Sequence, residues 1–171
     1  MDSVLDKLLG GDRRSIGRSD ELVMDIIDDP SLFDEVFYGM TYADRLIRMR
    51  CSDVIEKVCR LHPAYLQPYA EPLIKVVARV SQKEVRWHVA LLLSRLELEG
   101  EDLEEIVALL LTWAEDGESR IAQVNAIQAL ADLAGEDPRF RSQVIDALED
   151  LVVTGSPAVR NRAKRLLSDL A

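Results

Sequence analysis

Residues 85–96 read VRWHVALLLSRL, and this apolar pattern returns at a fixed interval along the chain. The pattern starts again at Ala122 and at Val159, each 37 residues after the previous copy, and a weaker copy starts at Ile47, 38 residues before Val85. The apolar residues of each copy fall at offsets of 0, 4, 7, 8 and 11, which places them on one stripe of an α-helix. A fixed period in this range is typical of stacked repeats rather than of a closed globule.

A second apolar stripe precedes three of these helices. Its positions are Leu66, Ala70, Leu73 and Val77, then Leu103, Val107, Leu110 and Ala114, then Phe140, Val144, Ala147 and Leu151. Each unit is therefore expected to be a helical hairpin whose apolar faces meet. We predict an all-α fold, a right-handed α-α superhelix of about four helical hairpins. Residues 30–171 form the array in this prediction, residues 1–29 form capping helices at its amino-terminal end, and the two together form a single domain.

The repeated unit resembles the HEAT repeat of the armadillo-like helical class. The resemblance rests on a second helix that opens with Val-Arg-x-x-Ala/Val-x-x-Leu-Leu, and it covers roughly residues 30–171. The stretches Arg48-Met49-Arg50, Glu84-Val85-Arg86-Trp87-His88 and Thr154-Gly155-Ser156-Pro157 are also similar to short stand-alone bacterial HEAT-repeat proteins of unsettled function. The resemblance implies a solenoid, but HEAT arrays serve many roles and the fold alone does not give a function.

The chain departs from the HEAT pattern in the turn between the two helices. The family often carries an Asp there, which pairs with the Arg at the start of the second helix. The corresponding residues of this chain are Tyr42, Val80, Gly117 and Thr154, and the Arg copies are Arg48, Arg86 and Arg160, with Gln123 in the third repeat. A regular Asp–Arg ladder is therefore not expected.

The sequence lacks the motifs that would indicate catalysis or a cofactor. It has no Gly-rich phosphate loop with a Lys and no Gly-x-Ser-x-Gly turn. Neither His62 nor His88 is followed by Glu, whereas iron-dependent hydroxylases with a HEAT-like fold use His-Glu pairs. Cys51 and Cys59 are too far apart on one predicted helix for a disulfide, and no Cys/His spacing indicates zinc. We therefore expect no metal and no cofactor.

The net charge of the chain bears on the class of macromolecule that it binds. The chain has 31 acidic and 21 basic residues and a net charge of -10, with residues 1–44 at −7, residues 45–98 at +5 and residues 99–171 at −8. An acidic total disfavours non-specific nucleic-acid binding.

The sequence contains no run of 18 apolar residues, so we expect no membrane-spanning helix. The start of the chain lacks the regions of a signal peptide, so the sequence predicts a cytoplasmic protein.

The predicted groove of the array carries the candidate site. Second helices line the concave side of a HEAT array, and Trp87 and Leu91 would form its apolar centre together with Val124 and Ile127. The residues that would edge this centre are Arg50, His88, Arg95 and Asn125. Apolar patches that contain Trp and Arg suit protein or peptide binding. The alternative for Trp87 is that its ring packs sideways against the next repeat.

Two functions remain open from the sequence. The first is a non-enzymatic scaffold or adaptor, a monomer or weak homodimer, that binds a protein or peptide segment in its groove. The second is a HEAT-like enzyme or lyase-type subunit, similar to a phycobilin lyase or to a HEAT-like DNA glycosylase. A HEAT-like DNA glycosylase needs a basic, aromatic-rich groove, and a sequence pI near 4.7 disfavours this hypothesis.

Overall fold

The structure is a computed structural model that describes residues 3–11 and 17–171, and within these ranges it is helical with no strand. This confirms the predicted all-α class. The chain divides into two compact units, Met1–Leu96 and Glu97–Ala171. The capping helices over residues 1–29 and the array over residues 30–171 stay a prediction. In the described part of the chain, no helix has the length and apolar character needed to span a bilayer.

The first unit is built around its longest helix. Its α-helices are α1 (Ser19–Asp28), α2 (Phe33–Gly39), α3 (Arg45–Leu61), α4 (Ala70–Lys75) and α5 (Lys83–Leu93), with 3-10 segments at Val4–Leu8, Pro30–Leu32, Pro63–Tyr69 and Val77–Arg79. The helices α1, α2 and α5 all pack against α3. The carboxylate of Asp44 accepts hydrogen bonds from the amides of Leu46 and Ile47 at 2.7 and 3.1 Å and so caps α3.

The segment that precedes α5 is broken, although the sequence pattern predicts one helix there. A 3-10 segment, α4 and a further 3-10 segment follow one another between Pro63 and Arg79. Pro68 and Pro72 interrupt the helical hydrogen bonds because proline has no amide proton. Leu66, Leu73 and Val77 are nevertheless buried, so the apolar stripe survives the break.

The second unit consists of two helical hairpins. Its α-helices are α6 (Gly100–Glu115), α7 (Arg120–Glu136), α8 (Arg141–Thr154) and α9 (Pro157–Leu170). Helix α6 packs on α7, α8 packs on α9, and α7 also packs on α9. Ser119 and Ser156 cap the second helix of each hairpin by accepting hydrogen bonds from Ala122 and Val159.

The repeated apolar offsets are buried positions of α3, α5, α7 and α9, with Leu96 lying just after the end of α5. The buried residues are Ile47, Cys51, Val54, Ile55 and Val58, then Val85, Val89, Leu92, Leu93 and Leu96, then Ala122, Ala126, Ala129, Leu130 and Leu133, then Val159, Ala163, Leu166 and Leu170. Leu167 is the exception in the second helices and is half-buried. Burial of one stripe per helix explains why these short helices are stable only when packed together.

Two hydrogen-bonded contacts show that α3 and α5 run parallel. Near the start of both helices, the side-chain amide of Gln82 donates through Nε2 to the Arg45 carbonyl at 3.0 Å. Near their ends, Arg95 donates to Glu56 at 2.7 Å. Because the early residues meet at one end and the late residues meet at the other, neighbouring second helices of this unit share one direction.

The Arg at the second position of the repeat binds the turn through backbone carbonyls instead of an Asp. Arg48 donates to the Tyr42 and Ala43 carbonyls at 2.6 and 3.0 Å, and Arg160 donates to the Gly155 carbonyl at 3.1 Å. In the third repeat, Gln123 donates instead to the Ala114 carbonyl in the last turn of α6, at 2.9 Å. The missing Asp is therefore replaced by main-chain oxygens, which any residue in the turn can supply.

Candidate functional site

Four of the six predicted site residues lie on α5 or directly after it. Trp87, His88, Leu91 and Arg95 are each half-buried. Val85, Val89 and Leu92 turn one stripe of the helix into the core, which places Trp87 and Leu91 on the opposite side and His88 beside the stripe. The side chains of Trp87 and Leu91, one turn apart, therefore share one partly exposed strip. We call these two residues the α5 strip.

Arg50 is not on an exposed edge, contrary to the sequence expectation. Only 1% of the residue is exposed, and its Nη1 atom donates to the carbonyls of Leu8 and Gly10 at 2.5 and 2.6 Å. An offset of three lies about 60° from the buried offset zero on a helix, so this side chain starts beside the core stripe. In the first unit, the amino-terminal segment then covers it, and Arg50 fixes that segment.

Gly17 lies against the same guanidinium. A Cβ atom placed on Gly17 would come within 3.2 Å of Nη1 of Arg50, and its φ angle is +61°. Both the close approach and the left-handed backbone favour glycine at this position. The sequence pattern of the repeat could not reveal this contact, because residues 1–29 lie outside the repeat.

A buried carboxylate joins α3 to α5 beside the α5 strip. Glu56 is 6% exposed and accepts hydrogen bonds from Arg95 at 2.7 Å and from Arg60 at 3.0 Å. Two guanidinium partners offset the cost of desolvating one carboxylate. The Nη1 atom of Arg95 is buried without a hydrogen-bond partner among the described residues. Sequence reasoning did not identify Glu56, which occupies an offset between core positions.

A second ion-pair network joins α3 to α1. Lys57 contacts Asp53 at 2.8 Å within α3 and Asp20 of α1 at 2.7 Å. Hydrogen bonds to Asp20 and Asp53 raise the pKa of Lys57 against the opposing effect of its burial. Together with the Glu56 contacts, these pairs form a charged band made of two ion-pair networks along α3. We call this band, made of Asp53, Glu56, Lys57, Arg60 and Arg95, the polar row.

His88 faces the polar row from α5. Burial lowers its pKa below the ordinary value of 6.5, and the charges of Lys57 and Arg60 lower it further, whereas Asp53 and Glu56 act in the opposite direction. The imidazole is therefore neutral at physiological pH. A neutral ring beside Trp87 and Leu91 adds a polar but uncharged edge to the α5 strip.

Cys51 and Cys59 are both free and buried. Burial raises the pKa values of Cys51 and Cys59 to about 12, so both stay protonated and unreactive. In the part of the chain that the structure describes, no three metal-ligating side chains come together.

The sixth predicted residue, Asn125, lies in the second unit and is half-buried on α7. Its neighbour Val124 is also half-buried, but Ile127 is fully buried and does not belong to an exposed patch. A depression of about 260 Å³ opens where α7 and α9 lie side by side. Its lining residues are Val124, Ala158, Asn161, Arg162 and Arg165. We call this concavity the α9 depression.

A larger concavity of about 810 Å³ lies in the first unit. Its charged lining residues are Asp6, Lys7, Arg18, Asp25, Asp28, Asp29 and Glu35. Lys7 pairs with Asp25 at 2.5 Å and with Glu21 at 3.0 Å, and Arg18 pairs with Glu21 at 2.5 Å. Hydrogen bonds from Arg18 and Lys7 lower the pKa of Glu21 to about 2. Lys7 is therefore paired with an acid of this cavity, Asp25, whereas Arg18 pairs with Glu21, which is not among the lining residues.

Comparisons with protein-family models, with curated proteins and with solved structures find no match for this chain. The internal repeat and the contacts within each unit are therefore the basis for a functional proposal.

Proposed function

We propose that this protein is a non-enzymatic scaffold or adaptor of the HEAT-repeat type, a monomer or weak homodimer, which binds a protein or peptide along its second helices. In this proposal its hairpins stack as a right-handed α-α superhelix. One observation carries the proposal: α3 and α5 pack in parallel and leave the same register positions partly exposed. These positions hold Met49 and Asp53 on α3, and Trp87 and Leu91 on α5.

The chemistry of these positions supports a macromolecular ligand. The α5 strip offers an aromatic and an aliphatic side chain, and the polar row beside it supplies arginines and carboxylates. A small apolar centre with a charged rim is the usual anatomy of a protein interface. The ion pairs of the polar row also hold the helices in place, so the surface is organised before a partner arrives.

The lyase-type and glycosylase-like alternatives remain predictions that no specific contact favours. The polar row lacks a catalytic arrangement of the usual kind, since Glu56 is held by two arginines and His88 faces both acidic and basic neighbours. A glycosylase-like function needs base stacking in a basic groove, and the α5 strip offers Trp87 alone for stacking.

Photocrosslinking tests the proposal at the level of one side chain. A photoreactive phenylalanine analogue at Leu91 should crosslink a specific protein in the native host. The same analogue at Val76, which is 55% exposed in the same unit, is the matched control and should not capture that protein. The purified partner should then bind the parent chain and lose at least about tenfold in affinity with Trp87→Ala, as expected for a central aromatic residue.

The result that would overturn the proposal is equally specific. Equal crosslinking from Leu91 and Val76 would show that the α5 strip has no preferred role. A partner whose affinity is the same for the parent and for Trp87→Ala would show that it binds elsewhere.

A further inference from the structure

We propose that the α9 depression in the second unit binds the carboxylates of a short acidic segment of a partner protein. This inference rests on the proposed protein-binding function and names the chemistry of one contact. It concerns a surface built by the start of α7 and the first three turns of α9, and it includes Val124 of the predicted groove.

Two arginines that line the α9 depression have side chains available for a ligand. Among the residues that the structure describes, neither Arg162 nor Arg165 takes part in a hydrogen bond or ion pair. The neighbouring arginines are occupied: Arg139, which precedes α8, pairs with Asp137 at 2.6 Å, Arg141 of α8 donates to the Leu170 carbonyl, and Arg160 of α9 donates to the Gly155 carbonyl. Free guanidinium groups beside a concavity are suited to bidentate binding of a carboxylate.

The two arginines lie on a basic helix within an otherwise acidic unit. Residues 99–171 carry 15 acidic and 7 basic residues, and α9 alone holds four of the basic ones with a single acid, Asp169. The helix therefore presents a confined positive surface on an acidic unit. Such a surface attracts a short anionic group, while the acidic surroundings repel a long polyanion such as a nucleic acid.

The size and lining of the depression favour an amino-acid side chain as the ligand. A volume of about 260 Å³ is below the range of about 300–1,000 Å³ that is usual for small-molecule pockets. Its lining holds no aromatic ring on which a nucleobase could stack. Val124 and Ala158 supply an apolar floor for the aliphatic part of a Glu or for a neighbouring Leu, and Asn161 adds an uncharged polar group.

Nuclear magnetic resonance titration of the full chain with a defined probe tests this proposal. The probe is the peptide acetyl-Leu-Glu-Glu-Leu-amide, and its counterpart with Gln in place of Glu is the uncharged control. The Glu peptide should shift the amide signals of Val124 and Asn161 and the guanidinium signals of Arg162 and Arg165. The Gln peptide should bind at least about fivefold more weakly, because it lacks the charge-assisted hydrogen bonds.

A pair of double variants separates the depression from general charge. Arg162→Gln with Arg165→Gln should weaken the Glu peptide at least about fivefold. Arg160→Gln with Lys164→Gln makes the same change in net charge on the opposite face of α9 and should leave the affinity within about twofold. Melting temperatures of both variants confirm that the unit stays folded.

Several results would overturn the inference. They are equal losses in the two double variants, equal affinity for the Glu and Gln peptides, no signal shifts at millimolar peptide, or tighter binding of a single-stranded oligonucleotide to the same residues. If the α9 depression does not bind the peptide, the crosslinking result at Leu91 is unaffected. The two experiments therefore distinguish failure of this inference from failure of the proposed function.

Discussion

Arg95 donates a 2.7 Å hydrogen bond from the carboxyl end of α5 to the buried carboxylate of Glu56 on α3. The two residues are 39 positions apart, close to the period of the repeat, so the bond joins equivalent regions of successive units. Arg95 was expected to act on a ligand, and this contact gives it a structural role as well. Substitutions at Arg95 therefore affect both stability and binding.

Arg95→Ala should lower the free energy of unfolding by about 2 kcal/mol, because Glu56 stays buried with one guanidinium partner instead of two. Arg95→Glu should cost more, since it brings a second carboxylate to Glu56. Urea denaturation of the parent and both variants measures these differences.

Arg60→Ala is the matched control, because it removes the other guanidinium partner of Glu56. The Arg60 side chain is 60% exposed, so its loss should cost less than about 1 kcal/mol. If Arg95→Ala and Arg60→Ala were equally stable, the burial of the Arg95 contact would carry no energetic weight.

The repeat period predicted the core well because burial of a stripe is a property of one helix at a time. Cys51, Val89, Ala126 and Ala163 share an offset and are all fully buried. Breaks such as the one at Pro68 and Pro72 alter the local helix type without moving the buried side chains, so they do not disturb this agreement.

The candidate site was harder to predict because the exposure of its side chains depends on which other segments of the chain cover them. Arg50 shares its offset with half-buried His88, yet it is buried because the segment before α1 folds over it. Glu56 lacks a sequence signal, since it lies on the side of α3 opposite the apolar stripe and the sequence reveals neither of its arginine partners. For both residues, contacts between segments that are distant in the sequence determine the burial and the partners of the side chain.

Arg50→Met should loosen the amino-terminal segment while the rest of the first unit stays folded. The variant leaves the carbonyls of Leu8 and Gly10 without their donor, at a cost of about 1–3 kcal/mol. Hydrogen exchange should accelerate at the amides of Val4–Leu8.

The same substitution two positions earlier provides the comparison. Arg48→Met removes the hydrogen bonds to the Tyr42 and Ala43 carbonyls, so it should accelerate exchange in that turn and leave Val4–Leu8 unchanged. Slow exchange at Val4–Leu8 in Arg50→Met would show that other contacts hold the segment.

Stability should fall on mild acidification through His88. Its pKa is lower in the folded than in the unfolded chain, so the unfolded state takes up a proton first as the pH falls through about 6.5. The contribution of this residue is therefore fully present above that pH and is lost below it. His88→Gln keeps a neutral polar side chain and should reduce the drop in melting temperature between about pH 7.5 and pH 5.5. An identical drop in the parent and the variant would contradict the assignment.

Tryptophan fluorescence can test the α5 strip, because the chain has 2 Trp residues in different surroundings. Trp113 is 4% exposed, whereas Trp87 is half-buried. Trp113→Phe leaves Trp87 as the fluorophore, and its emission should lie at longer wavelength and be quenched more strongly by acrylamide than that of Trp87→Phe. Adding the partner identified through Leu91 should shift the Trp87 emission to shorter wavelength and reduce its quenching, because binding removes the ring from water. The emission of Trp113 should not respond to the partner, and an unchanged Trp87 signal at saturating partner would show that the ring lies outside the interface.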